Sequence, residues 1–319
     1  MRYLDLKITG HPVPASRIVL GSCYFGTRID PQTADDLLDY FVRQGGTVID
    51  TAHSYAFWEP NGTSASERTI GRWLKNRGVR KDLLVATKGG LIKVDGKFAP
   101  DLDPIHLREE LEDSLRNLGT DYIDLYWLHR DDRTKPVESF IDTLDSFYRE
   151  GKILAAGVSN WETDRIEAAN QYAARSGKIP ILSSQILWNL CHSTPASWGD
   201  NTIVAMTEES AKYYEKRQMP VMAFASQGKG FFSKAAQMGI DKMTSARAYS
   251  PENVRRFEKV MDICRQTGVN PSAVVLGYIT GNPVPGLAIV GCSCLEQLKD
   301  CLLYPDFVPT TDMLRQLEL

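Results

Sequence analysis

Short apolar runs alternate with amphipathic helical stretches about eight times between the two ends of this sequence, and that rhythm limits its possible folds more than any other feature. A strand, a helix and a second strand running the same way build a parallel sheet, because the helix carries the chain back across the sheet face. The expected strands are Ile18 to Gly21, Val48 to Asp50, Leu83 to Lys88, Ile123 to His129, Ala155 to Ser159, Leu182 to Gln185, Val221 to Ala225 and Leu287 to Val290. Helices are expected over Pro31 to Arg43, Ser66 to Asn76, Pro104 to Leu118, Val137 to Glu150, Thr163 to Ala174 and Ile203 to Lys216. Several ends carry chemical signals. Asp103-Pro104 and Ser250-Pro251 put a capping side chain before a proline suited to the first helical turn, and Gly45, Gly78 and Gly119 follow helical segments.

Two segments stand outside the rhythm. Arg2 to Ile8 is expected to form a hairpin with the next few residues, and Gly228 to Ser250 is a long insertion of the kind that usually carries function. No linker or low-complexity tract divides the chain. The 319 residues therefore read as one domain, 1–319, of α/β class: a (β/α)8 TIM barrel with an N-terminal hairpin and a long loop after strand 7. The first strand is not followed by a GxGxxG loop, so a dinucleotide would not be held as in a doubly wound open sheet.

Composition matters mainly for what it excludes. Against 40 acidic residues stand 37 basic ones, and the net charge of −3 is too small to draw a nucleic acid to the whole surface. The local cluster Lys75, Arg77, Arg80 and Lys81 reads as a solvated face. The N-terminus lacks a signal-peptide apolar run and no window approaches ~18 uninterrupted apolar residues, so no membrane contact and a cytoplasmic location are expected. Cys23, Cys191, Cys264, Cys292, Cys294 and Cys301 are scattered and read as free thiols; Cys292-Ser-Cys294 lacks a second ligand pair, so no metal is expected. Oligomeric state has no signal in the sequence.

Strand parity points to a site. Residues two apart face the same side of a strand, so Val48 shares a face with Asp50, Ala86 with Lys88, and Leu125 and Trp127 with His129. Three apolar series on consecutive strands thus end in an ionisable residue at the carboxyl end, the rim where barrels build active sites. Tyr55 follows Asp50 by one short loop and can lean over that rim. The bland alternative is an Asp–Lys ion pair closing the barrel, with the tyrosine and histidine as ordinary rim residues. The coincidence favours proton chemistry: a Lys88 ammonium ~4 Å from the phenol would contribute on the order of 4 kcal/mol and lower its pKa by roughly three units before desolvation. Asp50 would hold Lys88 charged, and His129 would hold a carbonyl oxygen or share its proton.

These residues are similar to the aldo-keto reductase family over nearly the whole chain. GGTVIDTAHSY at Gly45 to Tyr55, ATKGG at Ala86 to Gly90, DLYWLHRDD around His129 and GVSNW at Gly157 to Trp161 carry the resemblance. It implies a catalytic tetrad of Asp50, Tyr55, Lys88 and His129, with Tyr55 as general acid in reduction and general base in oxidation. It also implies that Ser159, Asn160 and Gln185 hold a nicotinamide carboxamide and that Phe224 stacks on the ring. Without it, Asn160 would be an ordinary turn residue and Phe224 an ordinary core aromatic. Ala225, Ser226, Gln227 and Gly228, with Gly230, would run beside the pyrophosphate, while Gly21, Ser22, Cys23 and Asp50 would also border the cofactor. The stretch Ile289 to Asp300 is similar to the family's adenosine-phosphate clamp, giving Gly291, Cys292, Ser293 and Gln297, with Cys301 just beyond it. Gly291 and Gln297 stand where many members carry lysine and arginine; NADPH remains the implied cofactor, with NADH open.

The implied activity is NAD(P)H-dependent reduction of a small-molecule aldehyde or ketone. Tyr24, Tyr55, Phe57, Trp58, His129, Arg130 and Trp188 are the implied substrate contacts, and Arg130 suggests a polar carbonyl such as a sugar unless it pairs with Asp131 or Asp132. Two other classes compete. A nicotinamide-binding sensor subunit of the potassium-channel β type would share the barrel but turn over little, and a lyase or isomerase would use Lys88 as a Schiff-base amine.

Overall fold

The computed structural model describes residues 1–8, 14–192 and 198–318. The chain starts with β1 (Tyr3–Leu4) antiparallel to β2 (Ala15–Ser16), the expected hairpin, whose connecting residues 9–13 lie outside the described ones. The alternation then closes a barrel. Its strands are β3 (Ile18–Gly21), β4 (Val48–Asp50), β5 (Leu84–Gly89), then, after the side hairpin β6 (Leu91–Val94) and β7 (Lys97–Pro100), β8 (Leu125–Leu128) and β9 (Ala156–Ser159), followed by β10 (Ile181–Leu187), β11 (Val221–Phe224) and β12 (Gly286–Gly291). All pair in parallel, and β12 returns to β3 with Gly291 opposite Gly21. Strand ends fall within about two residues of expectation, as ladders fray.

Among the described residues the α-helices are α1 (Pro31–Arg43), α2 (Ala65–Arg77), α3 (Pro104–Leu118), α4 (Val137–Arg149), α5 (Thr163–Ser176), α6 (Glu208–Arg217), α7 (Phe231–Met238), α8 (Pro251–Thr267), α9 (Pro271–Thr280), α10 (Leu295–Cys301) and α11 (Thr311–Leu317). None of the described helices is long and apolar enough to cross a membrane.

Three elements differ from the sequence expectation. Helix α6 begins at Glu208 rather than Ile203, because Leu187 and Val204–Met206 exchange backbone hydrogen bonds of 2.9 Å, which keeps that segment extended beside β10. Thr207 then caps the helix, its side chain accepting from the Ser210 N–H while Ser210 reciprocates. The β6–β7 hairpin was not expected. Its signal is Asp95-Gly96, both at positive φ (49° and 81°), the backbone a two-residue hairpin turn requires. The insertion after β11 is not open loop either: Phe231, Phe232 and Ala235 bury one face of α7 against Val260, Ile263 and Val274.

Alternate strand residues separate two cores. Val19, Val48, Leu84, Ala86, Leu125, Trp127, Met222 and Leu287 fill the barrel, while Leu20, Ile49, Val85, Tyr126 and Leu128 pack outward under the helices. Trp127 fills the interior only because β9 offers Gly157 there; a Cβ on that glycine would lie 2.4 Å from the indole. Asp50, Lys88 and His129 continue the inward series.

Candidate active site

Register brings the charged ends together. Asp50 ends β4 and pairs with Gly21 of β3 on one side and Ala86 of β5 on the other, and Lys88 lies two residues beyond Ala86. The Lys88 ammonium donates to Asp50 Oδ2 at 2.6 Å, the Thr51 carbonyl at 2.7 Å and the Tyr55 hydroxyl at 2.8 Å. All three ammonium hydrogens are thereby engaged. The Tyr55 hydroxyl donates to Asp50 Oδ2 at 3.2 Å, and Gln185 donates to Asp50 Oδ1 at 2.9 Å. Asp50 and Lys88 are each 1% exposed.

His129 directly follows β8. Its N–H bonds the Gly89 carbonyl at 2.9 Å, its ring lies edge to face with Tyr55, centroids 6.0 Å apart, and Nδ1 meets Ser54 Oγ at 3.3 Å. The four tetrad residues therefore form one contiguous cluster at the carboxyl ends of β4, β5 and β8.

The electrostatics correct one expectation. Lys88 does not bring the Tyr55 phenol down: burial foremost, and then the Asp50 charge, hold it well above its ordinary value, despite the ammonium 2.8 Å away. Burial also lowers Lys88, against the pull of Asp50. Burial, with Arg130 and Lys88 nearby, holds the His129 imidazole well below the usual histidine range. Tyr55 is thus a protonated phenol and His129 a neutral imidazole at neutral pH. Beside them the Cys23 thiol is pushed up to about 12 by burial, so it is no nucleophile.

Arg130 is committed elsewhere. It pairs with neither Asp131, which Arg165 holds at 2.9 Å, nor Asp132; instead it donates to Asp200 Oδ2 at 2.9 Å, Thr202 Oγ1 at 2.7 Å and the His129 carbonyl at 2.9 Å, with 8% exposure. The Asp200 partnership is a contact 70 residues away along the chain, beyond the reach of local reading.

Around the mouth, Tyr24 and Trp58 meet edge to face at 6.3 Å, Phe57 and Trp58 at 5.4 Å, and Phe98 of the unexpected hairpin touches both Phe57 (6.0 Å) and Trp58 (5.8 Å). Arg28 lies over Tyr24 at 4.8 Å and pairs with Glu59 at 2.6 Å, bracing this aromatic wall. Trp188 is not part of it: it is buried in the core beside Tyr278.

The residues implied for cofactor contact fall into two groups. Ser22 and Ser226 are buried with hydroxyls committed to the Asp50 and Ile289 carbonyls, and Asn160, at φ 59°, bonds Ser159 Oγ and the Val204 N–H. Cys292 and Cys301 are buried, sulfurs 3.9 Å apart, with Cys301 against Gln227. By contrast Phe224, Ala225 and Gln227 are half-buried, and Gly291, Ser293 and Gln297 are exposed, Gln297 Oε1 accepting from the Ser293 N–H at 2.9 Å. The sequence reading missed three cations. Lys229, Lys234 and Arg247 border a cavity of about 210 Å³ shared with Gly228 and Trp198, and none pairs with a carboxylate among the described residues. Burial and the other two cations lower Lys229 below the usual lysine range. Being spread along the insertion, these three residues form no run that charge patterning would flag.

The Aldo/keto reductase family model matches residues 17–318. An uncharacterized oxidoreductase of Bacillus subtilis is 28% identical over 99% of this chain and 95% of its own. A probable aryl-alcohol dehydrogenase of Saccharomyces cerevisiae is 28% identical over 85% of this chain and 82% of its own, and a norsolorinic acid reductase of Emericella nidulans 27% over 90% and 73%.

Proposed function

Because the chain belongs to the aldo/keto reductase family of oxidoreductases, we propose that it reduces aromatic aldehydes or ketones to alcohols with NADPH, the proton coming from Tyr55. The observation that carries this reading is the Tyr55 hydroxyl, held 2.8 Å from the Lys88 ammonium and 3.2 Å from Asp50 at the barrel rim. When bound, a reduced nicotinamide supplies the hydride for the carbonyl carbon. The chain supplies the rest. Tyr55 donates its proton to the carbonyl oxygen, and the negative charge that develops on the phenol oxygen faces Lys88. Asp50 fixes Lys88, and the His129 ring, edge to face with Tyr55, is placed to bond the same carbonyl oxygen. A lysine with all three hydrogens engaged and a carboxylate at 2.6 Å is poorly suited to Schiff-base chemistry, and a binding-only subunit has no use for a proton donor so placed.

The residues fit a nucleotide cofactor. Phe224 presents a half-buried ring, and Lys229, Lys234 and Arg247 offer positive charge without acidic partners beside the Gly228 to Gly230 turn. These cations support binding of a nucleotide's phosphates, a feature that NADPH and NADH share. Arg247→Gln is expected to raise the NADPH dissociation constant about tenfold in a fluorescence titration, with kcat at saturation nearly unchanged. An unaltered constant removes this cavity from the cofactor site.

The sugar reading rested on a free Arg130, and with Asp200 and Thr202 engaging that side chain the aromatic mouth supports an aryl substrate instead. The two relatives whose names refer to aryl-alcohol oxidation and norsolorinic acid reduction support the same class. In an NADPH-oxidation assay, kcat/KM for substituted benzaldehydes should exceed that for any aldose, and Trp58→Ala should lower it about tenfold by removing one aromatic face. Aldose turnover above that of every aryl carbonyl would return the substrate to the polar class, and no turnover with either would refute the activity.

A further inference from the structure

Ser54 is buried, 7% exposed, next to Tyr55 in the loop after β4. Its hydroxyl makes one side-chain hydrogen bond among the described residues, to His129 Nδ1 at 3.3 Å. We infer that Ser54 sets the tautomer of His129, donating to Nδ1 so that the single ring hydrogen resides on Nε2 and points at the substrate oxygen.

Three observations carry this. The His129 backbone is pinned from both ends, its N–H on the Gly89 carbonyl and its carbonyl accepting from Arg130, so the ring can turn only about its side-chain bonds. The cations Lys88 and Arg130 and the buried position keep the ring neutral, and a neutral imidazole has one N–H and one bare nitrogen. Ser54 decides which nitrogen is bare. A buried hydroxyl hydrogen needs an acceptor, whereas an unused lone pair on the oxygen is cheaper to leave; with Nδ1 as its only side-chain partner, Ser54 donates. Nε2 makes no hydrogen bond among the described residues, so the N–H placed there is free for substrate.

Two neighbouring residues of one loop thereby assign two roles. Tyr55 moves the proton, and Ser54 makes His129 a donor that grips the carbonyl or alcohol oxygen in both directions and accepts no proton from it. Ser54 is a positioning residue, acting through His129. The kinetic consequence rests on the carbonyl-reduction reading; the tautomer itself does not.

Nitrogen NMR of the full-length protein with isotope-labelled histidine, His129 assigned by its loss in His129→Gln, reads the tautomer directly. Wild type should show an unprotonated Nδ1 and a protonated Nε2. Ser54→Ala should give a mixture or the opposite tautomer, lower kcat about tenfold with the NADPH dissociation constant unchanged, and Ser54→Thr, which keeps the hydroxyl, should restore both signals and rate. A wild-type His129 protonated on Nδ1 overturns the inference, as does a Ser54→Ala spectrum identical to wild type. The expected spectra in a protein that reduces no carbonyl would leave the inference standing and reject the proposed activity.

Discussion

Replacing Tyr55 by phenylalanine is expected to lower kcat for aryl-carbonyl reduction by about three orders of magnitude while leaving the NADPH dissociation constant within a factor of about two. The ring would remain, with its edge-to-face contact to His129 at 6.0 Å, so packing and the cofactor face are preserved. What is lost is the hydroxyl that the Lys88 ammonium holds at 2.8 Å. His129 cannot substitute, because burial and the adjacent cations hold it neutral. Stopped-flow measurement of single turnovers separates this chemical loss from slow product release, and a rate within tenfold of wild type would displace Tyr55 as the proton donor.

The pH behaviour follows from the same environment. The phenol of Tyr55 is raised well above its ordinary value of 10, so the donor form persists through neutral and mildly alkaline pH, and reduction should show no loss there from Tyr55 ionisation. Alcohol oxidation needs the phenolate and should instead rise with pH. For His129 the shift is downward from 6.5: the unfolded chain binds the proton more readily than the folded one, so its contribution to stability is present above about that pH and declines as pH falls below it.

Lys88→Met is expected to cost about 3–5 kcal/mol of stability, because it leaves the Asp50 carboxylate, 1% exposed, without its counter-ion. Gln185 and Tyr55 still donate to it, but neutral donors do not replace an ammonium at 2.6 Å. Turnover should fall with it, since the developing phenolate loses its stabilising charge. A second variant separates the two effects: Lys88→Met with Asp50→Asn removes both charges and should recover much of the stability while recovering none of the activity. Urea titration alongside the reduction assay reads both. Recovery of activity in the double variant would assign the pair the purely structural role of closing the barrel.

Much of this was legible in the chain. Parity alone placed Asp50, Lys88 and His129 on the inward face, since a strand allows only two directions and the apolar partners Val48, Ala86, Leu125 and Trp127 had to take the interior. The insertion was legible as an anomaly, but not as helix α7, whose buried face exists only because α8 and α9 offer Val260, Ile263 and Val274 to cover it. Arg130 shows the opposite error. Its charge was legible and local partners at Asp131 or Asp132 were weighed for it, but Asp200, 70 residues on, takes the guanidinium.

The tetrad, then, was determined by sequence: residue type, strand period and one short loop suffice to gather an acid, a phenol, an ammonium and an imidazole at a rim. Tertiary structure decided what those groups are. Coulomb attraction to Lys88, which depends on distance, would by itself acidify Tyr55; burial reverses the sign, because removing water from a phenolate is unfavourable over the whole group and depends on everything packed around it. The aromatic mouth followed the same logic: Phe98 reaches Trp58 only when the hairpin after β5 folds back, a proximity set by three-dimensional packing rather than by any local preference.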